Sequence, residues 1–167
     1  IGLTAPADKK RVDDLDLVDK LWAMAFLYDR AGRYATSHWP TRWHILDYRR
    51  RWPVGADRLR WQIAYPRAFW PLLTDHATRN QVPVAMQIAI VREESAFDPW
   101  RESYANAIGL TQMIQSTATR FAKGTGIDPT RDSLRDPEKN VTIGSRFLGF
   151  LFQHWKGFTM LVPPGYN

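Results

Sequence analysis

The chain has 167 residues, 44% of them apolar, with eight tryptophans and a formal net charge of +6. That content supports a packed core of one domain, or of one domain and part of another, and excludes a disordered chain. Cysteine is absent, which rules out disulfides and thiolate metal sites, and no apolar run approaches the roughly 20 residues that span a bilayer. The positive charge attracts polyanions such as nucleic acid, anionic lipid or a carboxylate-bearing glycan, although a generically soluble basic surface accounts for it equally well. Apart from Arg49 to Arg51 the basic residues are scattered. No zinc-finger, RNA-stacking or helix-turn-helix signature accompanies them, so no nucleic-acid partner is expected.

Residues 1–12 read as a frayed end or linker, with Pro6 and the basic run Lys9, Lys10, Arg11. Asp13 or Asp14 is placed to cap a helix carrying Leu15, Val18, Leu21, Trp22, Ala25 and Phe26, and Gly32 to stop it. A second helix is expected from Tyr34, interrupted at Trp39-Pro40, and a third from Thr41 to Arg51, broken by Trp52-Pro53-Val54-Gly55. Short amphipathic helices around LYDRAGRY have the look of one α-solenoid unit, which cannot bury both of its faces alone. Pro66 and Pro71 suit the start of a helix running to about Arg79, and Asn80 to Val82 connects it to the next. Ser116 or Thr117 to Lys123 reads as a short helix stopped by Gly124, and Thr125 to Arg135 as a polar loop. Asp136-Pro137 opens a final helix with Val141, Ile143, Phe147, Leu148, Leu151 and Phe152 on its apolar face, ending near Lys156-Gly157. No long alternating strand pattern occurs, so the expected class is all-α.

Between these elements lies the stretch around which the rest is organised, VPVAMQIAIVREESAFDPWRESYANAIGLTQMIQ from Val82 to Gln115. Pro83 opens a helix whose run Val84 to Val91 is apolar on every side, as in a buried helix. The run ends in Arg92, Glu93, Glu94 and Ser95. Glu94 follows Ile90 and Val91 by one turn, so apolar neighbours share its face. Desolvation and the negative end of the helix dipole both favour a carboxyl that keeps its proton near neutral pH, as a general acid requires. Asp98-Pro99 reads as turn chemistry and Glu102 as a solvated charge.

Four pieces occur in order: REES (Arg92 to Ser95), SYANAIGLTQ (Ser103 to Gln112), DPEKNVTIG (Asp136 to Gly144) and GYN (Gly165 to Asn167). Together they resemble the catalytic domain of the soluble lytic transglycosylases, enzymes of goose-lysozyme-like fold that cut bacterial peptidoglycan. The resemblance implies a lysozyme-like helical catalytic domain at 63–167, preceded over 1–62 by a linker and the end of an α-helical solenoid, with Arg60 to Phe69 as the crossover. It implies cleavage of the β-1,4 bond from N-acetylmuramic acid to N-acetylglucosamine, leaving 1,6-anhydro ends. Peptidoglycan glycan strands are the implied partner, with cell-envelope machinery as a further one, and the periplasm or cell envelope is the implied location. The first residue is Ile1 and no signal peptide leads the chain, as in a processed or excised fragment. A monomer without metal or organic cofactor is expected.

Ordinary glycosidases flank the bond with two carboxyls. Glu93 and Glu94 project about 100° apart from a helix and cannot both enter one cleft. In the family one glutamate acts first as acid and then as base, while the substrate's N-acetyl group supplies the nucleophile; the resemblance assigns both roles to Glu94. It gives Ser95 a part in orienting the catalytic turn and makes Ser103 and Gln112 substrate ligands, Gln112 through an amide that donates and accepts. Gly109 would let the backbone approach the sugar, Ile114 would line a sugar subsite, and Tyr166 would hold its hydroxyl near the catalytic carboxyl with Asn167 beside it. Asn140 and Gly144 are the implied supports of the cleft.

Some positions depart from the family pattern. Asn106 stands where glycine is usual, in a turn whose left-handed backbone asparagine tolerates. Thr111 replaces a methionine and Ile114-Gln115 a Met-Pro pair, changes expected to alter sugar subsites, and Gly165 replaces alanine. Family members continue past the last motif with further helices, so the domain is expected to be C-terminally incomplete. Two competing functions remain open from sequence: a goose-type lysozyme, which transfers the glycan to water, and a non-catalytic module that binds peptidoglycan or a partner. His38, His44, His76 and His154 share no metal-ligand spacing, and Trp39, Trp43, Trp52, Trp61 and Trp70 are expected in the core, with sugar-stacking rings among them as the alternative.

Overall fold

The structure, a computed structural model, describes residues 14–166. The basic run Lys9 to Arg11, the alternative cap Asp13 and the terminal Asn167 lie outside the described residues. Two compact units divide between Ala68 and Phe69.

In the first unit Asp14 accepts hydrogen bonds from the backbone N–H groups of Asp16 and Leu17 and so starts α1 (Leu15–Arg30). Gly32 ends it at φ +70°. The interruption expected at Trp39-Pro40 does not occur, because α2 (Tyr34–Trp43) continues through Pro40. Proline removes one helical N–H, but Ser37, His38, Pro40 and Thr41 are all buried, and burial of that face offsets the missing bond. The N–H groups of His44 and Ile45 then converge on the Pro40 carbonyl at 2.9 and 3.0 Å, which closes the helix. Accordingly, the helix expected from Thr41 to Arg51 is replaced by the end of α2 and one 3-10 turn, Asp47–Arg50. α3 (Asp57–Ala64) completes the unit. Val18, Trp22, Ala25, Ile45, Tyr48, Ile63 and Ala64 form its core, with the Tyr48 ring meeting Trp22 and Trp61 edge-on. Arg60 reaches Asp47 at 3.2 Å and Asp19 at 3.6 Å, tying α3 to the turn and to α1. The sequence break at 62–63 would cut α3, whose last residues Ile63 and Ala64 are buried in this core. Trp52, expected in the core, is 82% exposed, and Trp39 and Trp70 are also on the surface.

The second unit begins with α4 (Trp70–Arg79), which carries Pro71 in its first turn. It continues through α5 (Val84–Ser95), α6 (Gln115–Ala122), α7 (Arg131–Arg135) and α8 (Pro137–His154). A 3-10 turn, Thr159–Leu161, leads into α9 (Val162–Tyr166). Helices α4, α6, α7 and α9 all pack on α8. One apolar cluster joins Ile108, Met113, Ala118, Ala122, Leu134 and Ile143. A second joins Val82, Ile90, Leu148, Leu151 and Val162, and the rings of Phe147 and Tyr166 touch both.

Two expectations change here. α5 is not buried all round: Gln87, Ile90, Val91 and Ser95 face inward, whereas Ala85, Ala89 and Glu93 are exposed. Alanine leaves little apolar surface in water, so an apolar run can still line an open helix face. The loop expected over Thr125 to Arg135 ends in α7, because Thr130 accepts from the Ser133 N–H as an N-cap. Asp136 follows directly and caps α8 through the Lys139 N–H. The all-α expectation matches the described residues, where only isolated bridges, Glu102 to Ile108 and Ile108 to Met113, break the helical pattern. No helix among them is long and apolar enough to cross a membrane.

Candidate active site

The last turn of α5 delivers Glu94 to a cleft of about 410 Å³. The helix stops abruptly because Ala96 and Phe97 are both in the left-handed region, at φ +53° and +63°. Both are buried, and side-chain burial holds a backbone that costs about 1 kcal/mol or more per non-glycine residue. Ser95 is buried and donates to the Val91 carbonyl at 3.1 Å, so its hydroxyl faces back along the helix. Glu93 turns outward to Arg92 at 2.7 Å. Burial lifts the Glu94 carboxyl above the ordinary glutamate value of 4.5, with the Glu93 charge acting in the same direction.

The opposite wall is the loop from Arg101 to Met113. Ser103 accepts from the N–H groups of Ala105 and Ala107, which leaves its own proton available to donate into the cleft. Asn106 holds this turn at φ +57°, the left-handed conformation expected of it. Gln112 donates from Nε2 to the carbonyls of Arg101 and Gly109, both at 3.0 Å. Its amide is thereby fixed, with the carbonyl oxygen left as the group to face substrate. Ser103, Gln112 and Ile114 all line the cleft with Glu94 and Tyr166.

Gly109 packs at the back of this loop. It does not line the cleft, and a Cβ there would lie 2.1 Å from the Leu134 carbonyl and 2.3 Å from Asn140 Nδ2. The close approach it permits is to α8. Asn140, fully buried, spends every polar capacity on this loop and on α7. Its Oδ1 accepts from the Thr111 N–H at 2.9 Å and the Thr111 hydroxyl at 2.7 Å. Its Nδ2 donates to the carbonyls of Ile108 and Leu134. Thr111, expected to alter a sugar subsite, is buried and turned to Asn140, in the space that Gly144 leaves by lacking a Cβ.

The Thr111 carbonyl accepts the Tyr166 hydroxyl at 2.8 Å, so α9 is bonded to the same loop. Burial first, and then the Glu94 carboxylate, push the Tyr166 phenol far above its usual range and keep it a neutral donor. Glu102, expected as a solvated charge, pairs with Arg131 and, at 3.5 Å, with Arg135, which ties α7 to the loop. Asp98 accepts from the Trp100 N–H in a tight turn, as expected.

Met113, Thr117, Phe147 and Gly165 also line the cleft and were not singled out as site residues. Phe147 lies on the apolar face of α8 like any core residue, and only the tilted ring contact with Tyr166 at 4.9 Å marks its place. Asn167 lies outside the described residues. No cluster of metal-ligating side chains occurs among the described residues; His76 instead meets Glu138 at 3.4 Å.

Membrane-bound lytic murein transglycosylase C of Glaesserella parasuis serovar 5 (strain SH0165) is 43% identical over 84 residues, covering 48% of this chain and 23% of that protein. The protein of the same name from Yersinia pestis (strain Pestoides F) is 36% identical over 90 residues, 52% of this chain and 25% of that one. The chain thus spans about a quarter of the length of these relatives. The fold is shared with the 70 kDa soluble lytic transglycosylase SLT70 of Escherichia coli, with a TM-score of 0.74 at 24% identity over 90% of this chain and 23% of that one. Lytic transglycosylase Slt of Pseudomonas aeruginosa gives a TM-score of 0.73 at 22% identity, over the same shares of the two chains. The model of the transglycosylase SLT domain matches residues 71–167, more than half of the sequence, and the chain belongs to that family.

Proposed function

We propose that the chain is the catalytic part of a peptidoglycan lytic transglycosylase. The observation that carries this reading is the lone carboxyl of the cleft. Glu94 is held above its ordinary pKa by burial, and no other described lining residue is a carboxylate. A hydrolase with an acid and a partner carboxylate needs two.

Protonated Glu94 donates to the glycosidic oxygen as the bond from C1 of N-acetylmuramic acid breaks. The acetamido oxygen of the same sugar attacks C1 and covers the developing charge. The C6 hydroxyl then displaces that oxygen at C1 and gives its proton to the Glu94 carboxylate. A 1,6-anhydro ring forms, the acetamido group is restored, Glu94 is again protonated, and no water is consumed. Ser103 and the Gln112 amide hold the sugar, Ile114 supplies an apolar subsite wall, and Tyr166 borders the reacting centre. Ser95 and Gly109 are supports, the first within α5 and the second against α8. In this reading the protein works as a monomer on glycan strands in the cell envelope, on the periplasmic side, and residues 1–62 are the end of a helical solenoid with its linker.

The test is mass spectrometry of purified peptidoglycan after incubation with the chain and with a Glu94→Gln variant. Anhydro-ended muropeptides that disappear with the variant are the expected result. Reducing ends would make the protein a lysozyme, and intact strands from both proteins would leave a binding module.

A further inference from the structure

Tyr166 borders the cleft from α9 with a single proton to give, and its partner decides where that proton goes. The phenol oxygen lies 2.8 Å from the Thr111 carbonyl. A peptide carbonyl has no proton of its own, so at this distance the phenol is the donor. Both partners are held in place. The Thr111 N–H and hydroxyl reach Asn140 Oδ1 at 2.9 and 2.7 Å, and Asn140 is fully buried. The Tyr166 ring meets Phe147 at 4.9 Å and packs on both apolar clusters of the unit. With its proton on Thr111, the phenol keeps only lone pairs for any other neighbour.

Glu94 lines the same cleft, near enough for its charge to act on the phenol. No hydrogen bond to the Glu94 carboxyl occurs among the described residues. The other side chains of the lining are uncharged, and on the same turn of α5 Glu93 turns outward to Arg92. Tyr166 is therefore the titratable neighbour that Glu94 meets inside the cleft. A lone pair can accept from a carboxylic acid but repels a carboxylate, which favours the protonated form.

We propose that Tyr166 is a positioning residue that keeps the proton on Glu94, accepting from the acid and giving nothing to the carboxylate because its own proton is committed to Thr111. A carboxylate denied a donor is also the stronger base towards the C6 hydroxyl, so one arrangement serves both steps of the reaction. The inference rests on the role given to Glu94 in the preceding section, but its test does not need cleavage.

Carbon-13 NMR of the Glu94 carboxyl, followed across pH in the chain and in Tyr166→Phe, reads the proton directly. Loss of one neutral acceptor should place the Glu94 titration about 0.5–1 pH unit lower in the variant. A titration that stays put, or that moves up as it would on losing a donor, would overturn the proposal. Since the variant also loosens α9, a second measurement follows the Tyr166 hydroxyl proton in the unaltered chain. That proton should stay protected from exchange, with its shift nearly constant, through the Glu94 titration and in Glu94→Gln. A strong downfield move as Glu94 ionises would mean that the phenol donates to the carboxylate, and would equally overturn it. On active enzyme, the alkaline limb of kcat/KM should move down in Tyr166→Phe by the same interval as the NMR titration. A protein that gives both NMR results yet cuts nothing would sink the catalytic reading and leave this one intact.

Discussion

Glu94 stands where two physical demands conflict, because a carboxyl placed for proton transfer is also a partly buried group that resists ionising. Its raised pKa has the native state hold a proton that the unfolded chain releases between the ordinary value of 4.5 and the folded one. Stability therefore falls as pH rises through that window and levels off above it. Glu94→Gln cannot ionise, so its Tm should exceed that of the parent near neutral pH, and the gap should close in acid; thermal melts across pH check this. The same variant should lower kcat by about two to four orders of magnitude. In the parent, kcat/KM should decline as pH rises through the folded pKa, since the acid must carry its proton to act. Gly109 and Gly124 make a second residue-scale contrast. Both have positive φ, but a Cβ meets backbone only at Gly109 and nothing within 4 Å at Gly124. Gly124→Ala should cost about 1 kcal/mol of strain. Gly109→Ala should cost about 2–5 kcal/mol, a difference that urea denaturation separates.

Among elements, the loop from Arg101 to Met113 depends most on others for its shape. It has no ladder of its own beyond two isolated bridges, and α8 supplies the missing partners through Asn140. Removing that side chain leaves the buried Thr111 N–H without its acceptor and takes one hydrogen bond each from the Ile108 and Leu134 carbonyls. Asn140→Ala should therefore cost about 3–5 kcal/mol. Asn140→Asp keeps the acceptor for Thr111 but sets a carboxylate against the carbonyls of Ile108 and Leu134. Its stability should improve on acidification, when a protonated carboxyl can donate to one of them. Denaturant titrations of both variants at two pH values distinguish lost bonds from lost volume. The loop also carries Ser103 and Gln112, and its Thr111 carbonyl anchors Tyr166, so one α8 side chain sets three faces of the cleft.

Over the whole molecule, a net charge of +6 would, on the proposed function, meet a substrate that bears carboxylates. Long-range attraction of this kind assists encounter and is screened within about 10 Å at 0.1 M salt. KM for peptidoglycan should therefore rise several-fold between low and high salt, with kcat nearly constant, in steady-state assays across ionic strength. A kcat that fell in parallel would point instead to salt acting on the cleft itself.

Much of this protein was legible in the order of its residues. Helix starts at Asp14 and Asp136 and the stop at Gly32 follow from local hydrogen bonding and backbone sterics, which act over a few residues wherever the chain lies. The position of Glu94 after an apolar turn and the spacing of Ser103, Gln112 and Tyr166 were likewise visible as pattern. Local rules failed where distant contacts prevailed. α2 runs through Pro40 because that face is buried, and α7 forms where a loop was expected, with Glu102 paired to its arginines. Gly109 packs closely on α7 and α8, since only the fold brings Leu134 and Asn140 against it. The sequence by itself determined most of the helices and the place of Glu94 at the end of one. The tertiary structure alone decided which side chains meet at the cleft, because burial and the pairing of buried polar groups depend on residues that are neighbours only once the chain has folded.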